Sequence, residues 1–146
     1  MQLKVFQVDA FTSSLFKGNP AAVIFSDLND PKLMQQIAFE NNLSETAFIF
    51  KKEDEYYIRW FAPLCEVDLC GHATLASGFL FFNYIKPEAS DVVVNSKKNG
   101  ILKVIKKSNK LFLDFPIDDI QEYKDTEILE KCFGKKPNEV LKGRDD

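Results

Sequence analysis

The sequence predicts an α+β fold in which a strongly curved mixed sheet surrounds a central helix. Three observations predict it. About seven short segments show the alternating polarity or the β-branched and aromatic content of strands. Most of these segments are joined by polar turns, which is typical of hairpins. The segment 72–86 is nearly all apolar, and a helix that is apolar on every side is a buried helix.

The composition predicts a folded domain with a large aromatic core. The chain has 146 residues, 14 of them phenylalanine. Its net charge of −3 comes from interspersed charges of both signs, which argues against nucleic acid or an anionic membrane as a partner. The first residues lack the apolar run of a signal peptide. Three scattered cysteines, an odd number, predict a reducing, cytoplasmic location rather than a disulfide framework.

The predicted strands are separated by polar turns or ended by proline. Charged and polar stretches at residues 51–55 and 107–110 predict hairpin turns. Pro63 and Pro116 end the strands that precede them. The strands are predicted at residues 3–11, 21–25, 46–50, 56–61, 92–96, 101–105 and 111–115.

Two surface helices have clear start or stop signals. Asp30 is the predicted N-cap of the first helix, Pro31 occupies its first turn, and the helix ends near Asn41. A short helix is predicted at residues 126–133, with Gly134 just past its end. Residues 117–124 become acidic and poor in large apolar side chains. We therefore predict a domain at 1–118 and, at 119–146, a linker and the start of an incomplete second domain.

The central helix is predicted at residues 72–86, which is too short to cross a bilayer, since that needs about 20 apolar residues. Gly71 and His72 then lie at its N-terminus. Free backbone N–H groups and the positive end of the helix dipole make such a terminus an anion site. We expect the chemistry of the protein at this end of the helix.

Glu45 is the carboxylate of greatest interest. It lies between Leu43 and the apolar run 47–50, and burial at the mouth of an apolar cavity favours the neutral form of a carboxylate. That property suits a general acid/base. The alternative interpretation is that Ser44 and Glu45 only cap a turn.

His72 is the single imidazole, and at a helix N-terminus it is expected to act as a neutral donor or acceptor. The alternative is a partly buried histidine with a satisfied hydrogen bond. Cys70 precedes the same helix start, where the pKa of a thiol falls, so it is a candidate nucleophile or base. The alternative is a small buried hydrophobe.

The turn Gly18-Asn19-Pro20 offers the Asn19 amide to a ligand, although plain turn chemistry explains it as well. Glu66 and Asp68 alternate with apolar neighbours and are interpreted as solvated strand charges. One histidine and no CxxC pair do not predict a structural zinc site.

Five segments, read together and in order, resemble the phenazine-biosynthesis isomerase family, often called PhzF-like. A lone Cys-Gly-His is a weak signal, whereas five motifs with matching order and spacing are a strong one. Residues 113–116 resemble the family's last strand before its second domain. The five segments are Asp9–Thr12, Gly18–Val23, Leu43–Phe48, Phe61–Pro63 with Glu66-Val67, and Leu69–Ala76.

The resemblance implies one half of a two-domain, pseudo-symmetric fold similar to diaminopimelate epimerase, with the active site in the cleft between the halves. In the family the glutamate of the Ser-Glu-Thr motif transfers the proton, and Glu45 stands at that position. Related epimerases and proline racemases carry a cysteine where Cys70 lies, so Cys70 is a second candidate base. No metal or organic cofactor is expected. The expected substrate-binding residues are Asn19, Ser44, Gly71, His72 and Ala73.

The chain departs from the family pattern in two ways. Ala62 stands where the Phe-Thr-Pro triplet has threonine, which removes one hydroxyl. Family members are roughly twice as long, and their second half supplies an aspartate and a Gly/Ser-rich loop to the site. The second catalytic domain is therefore expected to be missing from this chain. A homodimer is the expected oligomer because most soluble oligomers are symmetric dimers.

Three functions remain open. The leading one is a cofactor-independent isomerase that moves a proton on a small carboxylate-bearing metabolite, with Glu45 as general acid/base. The second is an amino-acid racemase or epimerase that uses Cys70. The third is a small-molecule-binding or self-associating half domain without turnover. The substrate is not predicted, since a fold does not determine a function.

Overall fold

The computed structural model describes residues 2–124 and 126–143 of the chain. Contacts divide the chain into two units, Met1–Pro116 and Ile117–Asp146. The predicted division into a domain at 1–118 and an incomplete second domain at 119–146 stays a prediction. Within the described ranges, no helix combines the length and the hydropathy needed to cross a membrane.

The described residues of the first unit form eight strands, two α-helices and a π-helical turn. Each predicted strand overlaps one observed strand, and the strand β5 is only two residues long. In chain order the elements are β1 Val5–Ala10, β2 Asn19–Phe25, α1 Pro31–Asn41, β3 Glu45–Lys52, β4 Glu55–Phe61, β5 Glu66–Val67, α2 Gly71–Leu80, the π turn Phe81–Ile85, β6 Asp91–Ser96, β7 Gly100–Lys107 and β8 Lys110–Asp114.

All eight strands belong to one mixed sheet. The strand order is β1-β2-β3-β4-β6-β7-β8, and β5 pairs with β4. The pairs β2/β3 and β4/β6 are parallel, whereas the other neighbours are antiparallel. The α+β prediction with a curved mixed sheet is confirmed.

The central helix α2 lies against the inner face of the sheet and contacts β1, β2, β3, β7 and β8. Gly78 lets it approach β7 closely, because a Cβ atom there would lie 2.5 Å from Val104 Cγ1. Buried side chains of α2, of the π turn that follows it and of the inner face of the sheet together form the main apolar core. The predicted central position of the helix is confirmed.

The end of the central helix differs from the prediction of a single buried helix over 72–86. The α-helix ends at Leu80, and the chain continues as a π turn in which Lys86 N donates to Phe81 O at 2.7 Å. Phe79 and Tyr84 are 46% and 65% exposed. An open, curled sheet covers only part of the helix surface, so the remaining apolar side chains face solvent.

Helix α1 packs against the opposite face of the sheet, where Ile24, Phe48 and Phe61 point. Strand side chains alternate between the two faces of a sheet, so the residues next to these three in sequence point into the inner core. The predicted cap is confirmed, since the Asp30 side chain accepts from Lys32 N and Leu33 N. This second core fixes β3, and with it the position of Glu45.

In the second unit, α3 covers Glu127–Phe133 and ends at Gly134, whose φ of 66° is the left-handed conformation of a helix C-terminus. This confirms the predicted helix. Two short strands, β9 Gln121–Glu122 and β10 Leu141–Lys142, pair antiparallel. Strands of two residues carry no alternation, which is why the sequence did not predict them.

Candidate active site

The starts of β2 and β3 bring three of the predicted site residues together. These strands are parallel, so both begin at the same edge of the sheet, with Ala21 opposite Glu45. Asn19 precedes Ala21 and Ser44 precedes Glu45. The Ser44 hydroxyl donates to Asn19 Oδ1 and to the carbonyl oxygen of residue 20, both at 3.4 Å.

Strand β4 brings the chain back to the edge of the sheet where β2 and β3 begin, and α2 starts there. Strand β4 runs antiparallel to β3 and places Phe61 opposite Thr46. The chain then returns to Cys70, the N-cap residue of α2, which has an extended backbone. Gln35 Nε2 fixes this returning loop by donating to the carbonyl oxygens of Ala62 and Pro63 at 2.8 and 3.0 Å.

His72 is the centre of the resulting cluster. Its Nε2 atom lies 3.2 Å from Glu45 Oε2 and 3.2 Å from Ser44 Oγ. Its Nδ1 atom lies 3.4 Å from Cys70 Sγ. The side chains of Glu45 and His72 are only 20% and 10% exposed. The structure therefore groups a carboxylate, an imidazole and a thiol in a largely desolvated pocket at a helix start.

The Glu45 carboxylate retains an unused acceptor. Its Oε2 atom is buried and has no hydrogen-bond partner among the described residues. The contact with His72 Nε2 is close in distance but lacks hydrogen-bond geometry. A buried acceptor without a donor is costly, by about 1–3 kcal/mol, so such atoms in native proteins usually have a role.

The predicted low pKa of Cys70 is wrong. Burial raises the pKa of this thiol to about 12, and the nearby Glu45 carboxylate acts in the same direction. The backbone N–H groups of Ala73 and His72 at the helix start lower the pKa, as predicted, but they are outweighed. Cys70 is therefore a neutral thiol, buried as the alternative interpretation expected.

The remaining residues at the helix start are well packed. Ala73 is fully buried, and Thr74 Oγ1 donates to Cys70 O at 2.6 Å. A Cβ atom on Gly71 would meet Leu113 at an ordinary 3.7 Å. The N-cap residue Cys70 makes no side-chain cap hydrogen bond at the start of α2. Ligand binding by Gly71 and Ala73 stays a prediction.

Three residue types that can ligate a metal meet in this cluster. Ligand atoms of Glu45, Cys70 and His72 lie within 4.8 Å of one another. The imidazole, however, presents a different nitrogen to each neighbour, Nδ1 to Cys70 and Nε2 to Glu45. The expected absence of a metal stays a prediction.

Asn41 is a supporting residue that the sequence did not single out. Its Nδ2 atom donates to Thr46 Oγ1 at 3.2 Å, which ties the end of α1 to the start of β3 beside Glu45. The only sequence signal was its place at a predicted helix end. Its partner is buried, so the contact depends on how α1 packs against the sheet.

The hydrogen bonds determine which nitrogen of His72 carries the proton in the neutral ring. A neutral Cys70 thiol that donates to Nδ1, together with a Ser44 hydroxyl that accepts from Nε2, would place the proton on Nε2. We therefore expect the Nε2–H tautomer of the neutral ring. Because the chain has one histidine, ¹⁵N chemical shifts of its ring report this directly. Cys70→Ala should shift the ring towards a mixture, whereas Cys70→Ser keeps a donor. A predominant Nδ1–H form would contradict the hydrogen-bond chain.

The sequence and the fold match a family of known proteins. Residues 8–138 match the family described as phenazine biosynthesis-like protein. An uncharacterized isomerase of Pseudomonas aeruginosa is 44% identical over 147 residues, which cover 99% of this chain and 56% of that protein. The chain belongs to the phenazine biosynthesis-like family. It spans about half the length of the curated relatives it matches.

Solved structures agree with this assignment. A phenazine biosynthesis PhzF-family protein of Enterococcus faecalis superimposes with a TM-score of 0.84 at 43% identity, over 99% of this chain and 55% of that one. A predicted epimerase of Pseudomonas aeruginosa has a TM-score of 0.72 at 18% identity, over 96% of this chain and 56% of that one. The second likeness shows the fold alone. The predicted epimerase-like half is therefore confirmed as a fold.

Proposed function

We propose that this chain is the N-terminal half of a cofactor-independent isomerase that moves a proton on a small carboxylate-bearing metabolite. The observation that carries the proposal is the placement of the Glu45 carboxylate, mostly buried and 3.2 Å from His72 Nε2, beside the start of α2. The names of two relatives, both uncharacterized isomerases of Pseudomonas aeruginosa, support the reaction class.

Glu45 is the proposed general acid/base. Its carboxylate takes a proton from a carbon next to an electron-withdrawing group, and the resulting carboxylic acid returns the proton at another carbon. Positioned proton transfer of this kind contributes about 10²–10⁴-fold to a rate. The short distance to His72 keeps the carboxylate beside a polarising group throughout the transfer.

The start of α2 is the proposed binding site for the substrate's carboxylate or carbonyl oxygen. Negative charge develops on that oxygen when the proton leaves the carbon. The helix N-terminus offsets this charge in a desolvated site, where such interactions are strong. Ser44 and Asn19 line the same edge and are the proposed polar contacts for the rest of the substrate.

The racemase alternative through Cys70 requires a thiolate base. Burial holds the pKa of Cys70 at about 12, so the thiol is protonated and can donate a proton but cannot accept one. This favours Glu45 over Cys70 as the group that starts the reaction. Cys70 instead fits the role of a donor that orients His72.

The site of the proposed isomerase is completed by a second half, as the resemblance implies, with an aspartate and a Gly/Ser-rich loop. The intact mass of the native protein from its source is the measurement to make first. About double the mass of this chain supports a second half on the same polypeptide. We further propose a cytoplasmic enzyme, in keeping with its three free cysteines, and a homodimer.

The experiment that tests the function is proton exchange in D₂O. The native protein is incubated with a panel of small hydroxy, amino and unsaturated carboxylic acids, and loss of substrate C–H signals is followed by proton NMR. We expect deuterium incorporation into at least one compound, with many substrate molecules exchanged per protein molecule. Ligand-dependent thermal stabilisation without any exchange would instead favour the binding-protein alternative.

A further inference from the structure

Glu45, Cys70 and His72 form a compact set of potential metal ligands. Cys70 Sγ lies 3.4 Å from His72 Nδ1, and Glu45 Oε2 lies 3.2 Å from Nε2 of the same ring. Burial is the main cause that raises the pKa of Cys70, and the charge of Glu45 and a side-chain hydrogen bond to it act in the same direction, so the thiol and the carboxylate are also neighbours. One ligand atom from each residue lies within 4.8 Å of the other two.

The spacing of Cys70 Sγ and His72 Nδ1 is that of two ligands on one zinc ion. Zinc lies about 2.3 Å from sulfur and about 2.0 Å from nitrogen, so the separation of 3.4 Å corresponds to an angle of about 104° at the metal, close to tetrahedral. His72 Nε2 then keeps its proton and faces the Ser44 hydroxyl at 3.2 Å, as the second nitrogen of a metal-bound histidine usually faces a polar partner.

Glu45 supplies the third ligand after a small movement. Ligand atoms around tetrahedral zinc lie about 3.3–3.8 Å apart, so an atom at the 4.8 Å limit has to move by about 1 Å. Glu45 is the first residue of β3, and its side chain has three rotatable bonds and is 20% exposed. This movement therefore requires no change in the backbone, and the exposed side of Glu45 gives an ion its way in.

Charge and burial favour a divalent cation that binds sulfur and nitrogen. A thiolate and a carboxylate together carry two negative charges, which a divalent ion neutralises. The match matters because Cys70 is buried and the His72 side chain is only 10% exposed, so an uncompensated charge here is costly. Thiolate and imidazole suit zinc, whereas Mg²⁺ and Ca²⁺ prefer oxygen ligands.

We propose that Glu45, Cys70 and His72 bind Zn²⁺, with a fourth position left for water, and that the bound ion inhibits the enzyme. A Zn–S bond forms, the S–H bond of Cys70 breaks, and the proton leaves to solvent, so no oxidant or reductant is needed. The ion occupies the Glu45 carboxylate, which then cannot accept a substrate proton. The ion is an inhibitor rather than a resident cofactor. The inhibition, but not the binding, rests on the proposed function.

The single histidine makes the binding directly visible. The chain is titrated with Zn²⁺ at fixed pH while the ring ¹⁵N signals of His72 are recorded, and Mg²⁺ is the control ion. We expect the Nδ1 signal to move and to saturate at one ion per chain, and Mg²⁺ to leave it unchanged. A ring signal that does not move in a tenfold excess of Zn²⁺, or that Mg²⁺ moves equally, would overturn the site.

Matched substitutions identify the ligands. Cys70→Ser and Glu45→Gln nearly keep the shape of the side chain but remove a strong zinc ligand. Each should raise the dissociation constant of Zn²⁺, measured by competition with a chromophoric chelator, at least tenfold, since even groups around the ligands contribute about 10–100-fold. Cys132→Ser and Glu40→Gln change an exposed cysteine and an exposed glutamate and should leave the constant unchanged. An unchanged constant in Cys70→Ser would contradict the proposed ligands.

Deuterium exchange with and without Zn²⁺ separates this inference from the proposed function. We expect Zn²⁺ to stop the exchange at the concentration that saturates the His72 ring, and a chelator to restore it. Saturable binding by a protein that exchanges no compound would support the metal site and count against the isomerase. Exchange by a protein that binds no Zn²⁺ would overturn the site and leave the isomerase in place. Exchange that persists with the site saturated would overturn the inhibition.

Discussion

Glu45→Gln is expected to lower the rate of deuterium incorporation into the substrate by about 10²–10⁴-fold. Glutamine has almost the same shape as glutamate, so the packing against His72 is retained. Its amide cannot accept the substrate proton, however, and the reaction loses its base. The rate is measured by proton NMR in D₂O with the compound that the wild-type protein exchanges. Substrate affinity, measured separately by thermal stabilisation, should change far less than the rate.

Two variants control this experiment. Glu40→Gln removes an exposed carboxylate of α1 and should exchange substrate at the wild-type rate. Glu45→Asp keeps a carboxylate but withdraws it by one methylene, and it should retain part of the activity. Wild-type exchange by Glu45→Gln would eliminate Glu45 as the acid/base. A parallel fall in Glu40→Gln would show that the loss came from net charge rather than from the site.

The fold could be predicted where local chemistry determines the structure. Asp30 and Pro31 start α1 as predicted, because a cap and the first-turn proline act within a few residues. Gly134 likewise ends α3. The π turn at Phe81–Ile85 was missed, since no local residue requires it. The exposure of Tyr84 was missed as well, because it depends on where the curled sheet ends.

The site could be predicted from sequence only in outline. Local reasoning and the family resemblance singled out Glu45 and His72, but their 3.2 Å separation arises from the parallel pairing of β2 with β3 and from the return of the chain to α2. The pKa of Cys70 was predicted with the wrong sign because the helix start is visible in the sequence while burial is not.

Cys70 is expected to resist alkylation in the folded chain. At about pH 8 a thiol with a pKa of about 12 has roughly a thousandfold less thiolate than one at the ordinary value of 9.0. The other two cysteines, Cys65 and Cys132, are exposed. Intact mass spectrometry of the 146-residue chain should therefore show two rapid additions of iodoacetamide, and a third only after unfolding. The Cys70 rate should keep rising with pH towards 12, since its thiolate forms only there.

Single substitutions assign the two rapid additions and decide between the two candidate bases. Cys70→Ser should leave the number of rapid additions unchanged, whereas Cys132→Ser should lower it by one. Activity should survive alkylation of the native protein, because Glu45 rather than Cys70 starts the reaction. If Cys70 instead reacts as fast as Cys65, and substrate protects both the thiol and the activity, Cys70 is a thiolate in the working enzyme. That result would reverse the present assignment and favour a racemase or epimerase that uses the thiol at the helix start.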